Sequence, residues 1–198
     1  MAKLVNWYNF DQKIKGKLPF FSTIDVQRTF GVSKIAATFL LYRYNKSGFI
    51  ARIKRGMYAF PDALPPELLL ANKMYEPSYI SLEFALSYHQ VIPETVYEIT
   101  SVTTKATRRF ETMGKVFSYR KIKRDAFTGY TVEKQGRFSF RIADAEKALV
   151  DANYLRLLSN KKPISRFNKE RINVAKALRY ANIFKSQKLI SIMKTTLK

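Results

Sequence analysis

STIDVQRTFG (Ser22–Gly31), VSKIAATFLLYRYNKSGFI (Val32–Ile50) and ARIKRGMYAFP (Ala51–Pro61) follow one another without a break in this 198-residue chain. Ser22 with Asp25 three residues on is a capping-box pair that starts a short helix. Gly31 ends that helix and supplies a tight turn, and Ser33 caps the next one. On this longer helix Ala37, Leu40, Leu41 and Tyr44 recur at helical spacing and form a core-facing stripe, while Lys34, Thr38, Tyr42 and Arg43 lie away from it. Gly48 closes the helix, and Phe49 to Phe60 reads as two short strands around Lys54-Arg55-Gly56. Helix, turn, helix and basic hairpin in this order predict a winged helix-turn-helix, which places one helix in the DNA major groove with a ribbon beside it.

The predicted fold class is α+β: this module first, then a mixed α/β domain ending in basic helices. An N-terminal helix is expected from about Leu4 to Ile14, before Gly16 and Pro19. The prolines of PDALPP (61–66) stop helix and strand alike, so the division expected is residues 1–64 and residues 65–198. In the second part, Glu67 to Lys73 reads as a helix, and Ser81 as the cap of LEFALSYHQ. VYEITSVTT (96–104), KVFSYRKIK (115–123) and RFSFRIA (137–143) read as strands. Asp144 caps a helix through AEKALVDANYLRLL with Ala145, Ala148, Leu149, Ala152 and Leu155 on one face. Residues 168–192 read as one or two basic amphipathic helices, so strands are expected over about 96–143 and helices over 144–192.

Thirty-six Lys and Arg face 15 Asp and Glu, a net charge of +21. Residues 1–64 carry +8, residues 65–143 +4 and residues 144–198 +9. Such an excess predicts an anionic partner, and the two ends are where it would bind. With 46% hydrophobic residues, 12 Tyr and 15 Phe, the chain has material for a packed core and is not a disordered polycation. It has no cysteine, which excludes disulfides, thiolate zinc sites and a cysteine nucleophile. MAKLVNWYNFDQK has no apolar stretch of the signal-peptide kind, and no run approaches the ~20 apolar residues of a membrane span. A soluble, cytoplasmic protein without membrane contact is expected.

The candidate DNA-binding residues are Ser33, Lys34, Thr38, Tyr42 and Arg43 on the third helix, for base edges and phosphates. Arg52, Lys54 and Arg55 on the hairpin would grip the backbone. Lys169, Arg171, Lys176, Arg179, Lys185 and Lys188 form a possible second phosphate-binding face. The one histidine, His89, has no HxxxH or HxE partner and reads as structural. Asp144, Glu146 and Asp151 invite a metal-nuclease reading, but Asp144 serves as a cap and Glu146 sits where the helix dipole favours it. No metal set, P-loop, dinucleotide fingerprint or nucleophile elbow is present, so no cofactor and no enzyme activity are expected.

KRGMYAFPDA, PSYISLEFALSYHQVIPETVYEITSVTT, FSYRKI and RIADAEKALVD together resemble the AbiEi antitoxins of type IV toxin–antitoxin, or abortive-infection, systems. The resemblance covers roughly residues 20–155. It implies a winged helix that represses its own operon, bound to double-stranded DNA at inverted repeats. It further implies a C-terminal domain that counters a nucleotidyltransferase-like toxin without a stable complex. Ser81, Glu83 and Glu146 match the pattern without an assigned chemistry. Phe84 stands where the pattern has a small residue, and Gln90 where it has glycine. The alternatives are a metal-dependent nuclease with a DNA-binding head, using Asp144, Glu146 and Lys147, or a DNA-binding adaptor.

Overall fold

A computed structural model describes residues 5–198, which form two compact units divided between Pro66 and Glu67. The chain is α+β, with helices first.

In the first unit, α1 (Trp7–Ile14) starts where the Asn6 side chain accepts from the Asn9 N–H at 2.9 Å. The expected start at Leu4 lies outside the described residues. Helix α2 (Thr23–Phe30) opens with the full capping box: Asp25 accepts from the Ser22 N–H at 2.8 Å, and Ser22 Oγ accepts from the Asp25 N–H at 3.4 Å. Gly31 leaves the helix at φ +64°, a conformation a side chain resists. Helix α3 (Lys34–Lys46) is capped by Ser33 and buries Ala37, Leu40, Leu41 and Tyr44. It ends at Lys46 with Ser47 as cap, just before Gly48.

Strands β1 (Ala51–Lys54) and β2 (Met57–Ala59) pair antiparallel around Arg55-Gly56. Phe21 exchanges two 2.9 Å backbone hydrogen bonds with Tyr58, tying the entry to α2 onto the hairpin. Aromatics fill the space between. Phe10, Phe21, Tyr44 and Phe60 are buried, and Trp7 stacks on Phe49 at 4.4 Å. Each such side chain contributes roughly 1.5–3 kcal/mol by burial, and each ring pair about 0.5–1.5 kcal/mol more.

The second unit is built on a six-stranded mixed sheet. Its strands are β3 (Ser78–Ile80), β4 (Ile99–Thr103), β5 (Arg108–Thr112), β6 (Lys115–Lys121), β7 (Tyr130–Gln135) and β8 (Phe138–Ala143). They lie in the order β5-β6-β4-β3-β8-β7, with β4–β6 and β3–β8 parallel and the other pairs antiparallel. Three strands go beyond the sequence reading: β3, β5 and β7. The edge strands β5 (RRFET) and β7 (YTVEKQ) are rich in charge, which protects an edge from pairing with other chains. Around the sheet lie α4 (Glu67–Met74), α5 (Leu82–Tyr88), α6 (Ala145–Leu158), α7 (Val174–Ile183) and α8 (Gln187–Thr196).

Two local expectations are corrected here. Ser81 precedes α5, but its hydroxyl makes no cap and instead donates to Asp151 at 2.9 Å. The cap comes from the sheet: Thr100 Oγ1 accepts from the Phe84 N–H at 3.1 Å and donates to the Ser81 carbonyl at 2.6 Å. Helix α6 does not present one apolar face, because every residue from Glu146 to Tyr154 is buried. That burial includes Lys147 and Asp151, whose side chains are both 0% exposed and form an ion pair. Tyr79 OH and Ser81 Oγ each donate to Asp151 at 2.9 Å, and the Lys147 ammonium lies 4.9 Å from the Phe184 ring centroid. A buried charge pair of this kind is tolerated only when its remaining lone pairs are satisfied.

Candidate nucleic-acid interface

The local sequence of α3 sets up a surface opposite its core stripe. Ser33, Lys34, Thr38, Tyr42 and Arg43 are all exposed. Ser33 Oγ is occupied by the Ala36 N–H at 3.2 Å, and the Thr38 hydroxyl donates to the Lys34 carbonyl at 2.8 Å. Thr38 therefore has only acceptor capacity and its methyl left for a partner. Arg43 lies back over the Tyr44 ring at 5.4 Å. Burial pushes the Tyr44 hydroxyl up, and it donates to the Val5 carbonyl at 3.0 Å.

The centre of this outward face is apolar, which the sequence reading missed. Ile35 is 70% exposed, Phe39 69% and Tyr42 64%. They fall at i, i+4 and i+7, one stripe of a helix, with Lys46 a further turn along. The signal was present: α3 has apolar residues at too many positions for one buried face. Lys34 and Thr38 flank this stripe on one side and Arg43 on the other.

On the hairpin, Arg52 and Arg55 are exposed and Lys54 is half-buried. Arg52 faces Tyr58 in the ladder, and Arg55 with Gly56 forms the turn. The first unit thus carries cations on α3 and on the hairpin.

The C-terminal cations divide. Lys169, Arg179, Lys185 and Lys188 are exposed. Arg171 donates to Gln90 at 3.0 Å. Lys176 is engaged within the chain: its ammonium sits 3.1 Å from Asp144 and 3.0 Å from Glu146. Tyr180 OH also donates to Asp144 at 2.7 Å, and burial with that carboxylate pushes Tyr180 up to about 12. Burial pushes Glu146 up, but the Asn173 N–H at 2.9 Å and Lys176 outweigh it, leaving Glu146 below its ordinary value.

The acids are therefore grouped differently from the sequence reading. Asp144 and Glu146 meet on Lys176, while Asp151 lies in the core with Lys147. Asp144 does cap α6, accepting from the Lys147 N–H at 2.8 Å. The combination Asp144, Glu146 and Lys147 that a nuclease would need does not meet on one open face. Among the described residues no group of three or more His, Cys, Asp or Glu is placed to hold a metal ion. His89 caps the end of α5, its Nε2 2.8 Å from the Ala143 carbonyl. No helix among the described residues is long and apolar enough to cross a membrane. Neither family models nor curated proteins give a match to the chain.

Proposed function

We propose that the first unit is a winged helix-turn-helix that binds double-stranded DNA, and that the chain is a transcriptional repressor acting by binding rather than catalysis. The observation that carries this reading is the pairing of an uncovered α3 face with exposed arginines on the β1–β2 hairpin. Helix α3 would enter the major groove, with Lys34, Thr38 and Tyr42 toward base edges, and Arg52 and Arg55 would hold flanking phosphates. Ile35 and Phe39 suit the same task, because apolar side chains in the major groove contact the thymine methyl group. The net charge of +21 supplies long-range attraction.

The resemblance to AbiEi antitoxins extends the proposal to autorepression, and to a cytoplasmic antitoxin that counters a nucleotidyltransferase-like toxin without a stable complex. That extension rests on the sequence motifs of residues 20–155. Co-expression with a nucleotidyltransferase-like protein encoded beside it tests the antitoxin role: rescue of growth supports it, and unrelieved toxicity contradicts it.

The repressor role is tested by electrophoretic shift. The chain is offered the DNA upstream of its own coding sequence and a shuffled fragment of the same composition. Preference for the upstream fragment is expected, and Lys34→Ala with Tyr42→Ala should reduce it toward the shuffled value. Equal binding to both fragments contradicts a repressor, and no binding to either contradicts DNA binding.

A further inference from the structure

A cleft of about 410 Å³ opens in the second unit between the β4–β6–β5 part of the sheet and helices α5 and α6. The register places Thr100 opposite Ser118 and Ser118 opposite Arg109, a row across one face, with Arg120 two residues along the same face. Five cations line the cleft, Arg108, Arg109, Arg120, Arg156 and Lys161, against the two carboxylates of Glu83 and Glu98, though Arg108 pairs with Tyr119 and so stands on the other parity from that row.

The carboxylates engage only two of the five. Arg109 lies 4.0 Å from Glu98 and 3.4 Å from Glu111. Arg156 lies 3.4 Å from Glu83, and its Nε donates to the Lys162 carbonyl at 2.7 Å, which holds the guanidinium in place. Arg108, Arg120 and Lys161 make no ion pair among the described residues. Ser118 adds an independent sign. It is only 9% exposed and lines the cleft, yet its hydroxyl has no hydrogen-bond partner among the described residues. The residue is nearly enclosed but its oxygen reaches solvent, so a donor is left open toward the cleft. Leu82 in the wall holds φ +63°, a conformation costing a non-glycine residue roughly 1–3 kcal/mol and concentrated at binding sites.

The lining also excludes some ligands. It has no aromatic side chain to stack a base and no Asn or Gln to read one. Its surplus of three positive charges matches a group of comparable negative charge, and guanidinium forks are suited to phosphate oxygens. We propose that this cleft binds an oligophosphate group, such as that of a nucleoside triphosphate or of the 5′-triphosphate end of an RNA, through its phosphates and without regard to the base. Arg120 and Lys161 neutralise the phosphates, Ser118 donates to one oxygen, and Arg109 and Arg156 stay braced by their carboxylates.

Isothermal titration of the full chain with tripolyphosphate, ATP, GTP and adenosine tests this directly. Tripolyphosphate, ATP and GTP should bind alike and adenosine not at all. Arg120→Ala and Lys161→Ala should each weaken binding by roughly tenfold or more, with circular dichroism confirming an unchanged fold. Arg52→Ala with Arg55→Ala should leave it unchanged, which separates this cleft from the DNA-binding surface. A short RNA carrying a 5′-triphosphate is compared with its 5′-hydroxyl form and with free triphosphate. Tighter binding of the triphosphate RNA than of either names the RNA end as the source, and parity with ATP names the free nucleotide. Equal binding of the 5′-hydroxyl RNA overturns the proposal. So does tripolyphosphate affinity retained in the Arg120→Ala/Lys161→Ala variant, or lost equally in the hairpin variant.

Discussion

Replacing Lys147 with Met leaves the side-chain volume of a buried lysine largely in place and removes its charge. Asp151, 0% exposed, then has no cation beside it. Breaking a buried pair from one side costs about 3–5 kcal/mol. Tyr79 and Ser81 still donate to Asp151, each at 2.9 Å, which places the loss near the lower figure, about 3 kcal/mol. The pH dependence has a definite sign. Burial already holds Asp151 above its ordinary 3.8, with Lys147 the strongest opposing influence. Without Lys147 the folded-state value rises further. Between 3.8 and that raised value the folded chain binds more protons than the unfolded one, so stability is gained as pH falls and lost as pH rises. The Lys147→Met penalty should thus be largest at neutral pH and shrink toward acid, by up to about 1.4 kcal/mol per pH unit. Denaturant unfolding followed by circular dichroism at neutral and mildly acidic pH measures it. Lys147→Met/Asp151→Asn, which keeps an acceptor for Tyr79 and Ser81, should be more stable than Lys147→Met alone. A loss under about 0.5 kcal/mol, or an equal loss at both pH values, would refute the assignment of a charged buried pair.

Three further substitutions probe local geometry. Gln90 holds φ +57° just after α5, so Gln90→Gly should stabilise by about 0.5–1 kcal/mol despite losing the exposed Arg171 contact, read as a raised denaturation midpoint. Thr100→Val removes the hydroxyl that caps α5 and should cost about 1–2 kcal/mol by the same measurement, whereas Ser81→Ala would be the damaging change to the α5 cap only if Ser81 capped the helix. Gly129 has φ +77°, and a Cβ there would stand 2.8 Å from both Lys147 and Tyr180 side-chain carbons. Gly129→Ala should therefore lower stability by about 1–3 kcal/mol, seen as a reduced melting temperature.

The parts of the fold legible in the sequence are those decided within a few residues. Ser22 with Asp25, Ser33 and Asp144 each cap a helix through a contact three residues away, and the structure keeps all three. The α3 stripe was equally local. What escaped was decided by distant partners. Strand β3 has only three residues, and β5 and β7 carry edge charges, so none shows the alternation of a half-buried strand. Lys147 and Asp151 have the i, i+4 spacing of a solvent-exposed ion pair, and only the layers packed around α6 show them to be core. Lys176 reads as one of several outward lysines until the fold brings Asp144 and Glu146 to it. Thr100 replaces Ser81 as the α5 cap because Asp151, seventy residues from Ser81, claims the serine hydroxyl.

The central claim, that α3 and the hairpin form a DNA-binding surface, is tested most directly by a salt titration. Fluorescence anisotropy of labelled upstream DNA compares the native chain with the Arg52→Ala/Arg55→Ala variant. Each phosphate contact contributes about 0.9 to the slope of log affinity against log salt. The variant should bind upstream and shuffled DNA more weakly alike, with a slope shallower by about 2. An unchanged slope and affinity would contradict the account.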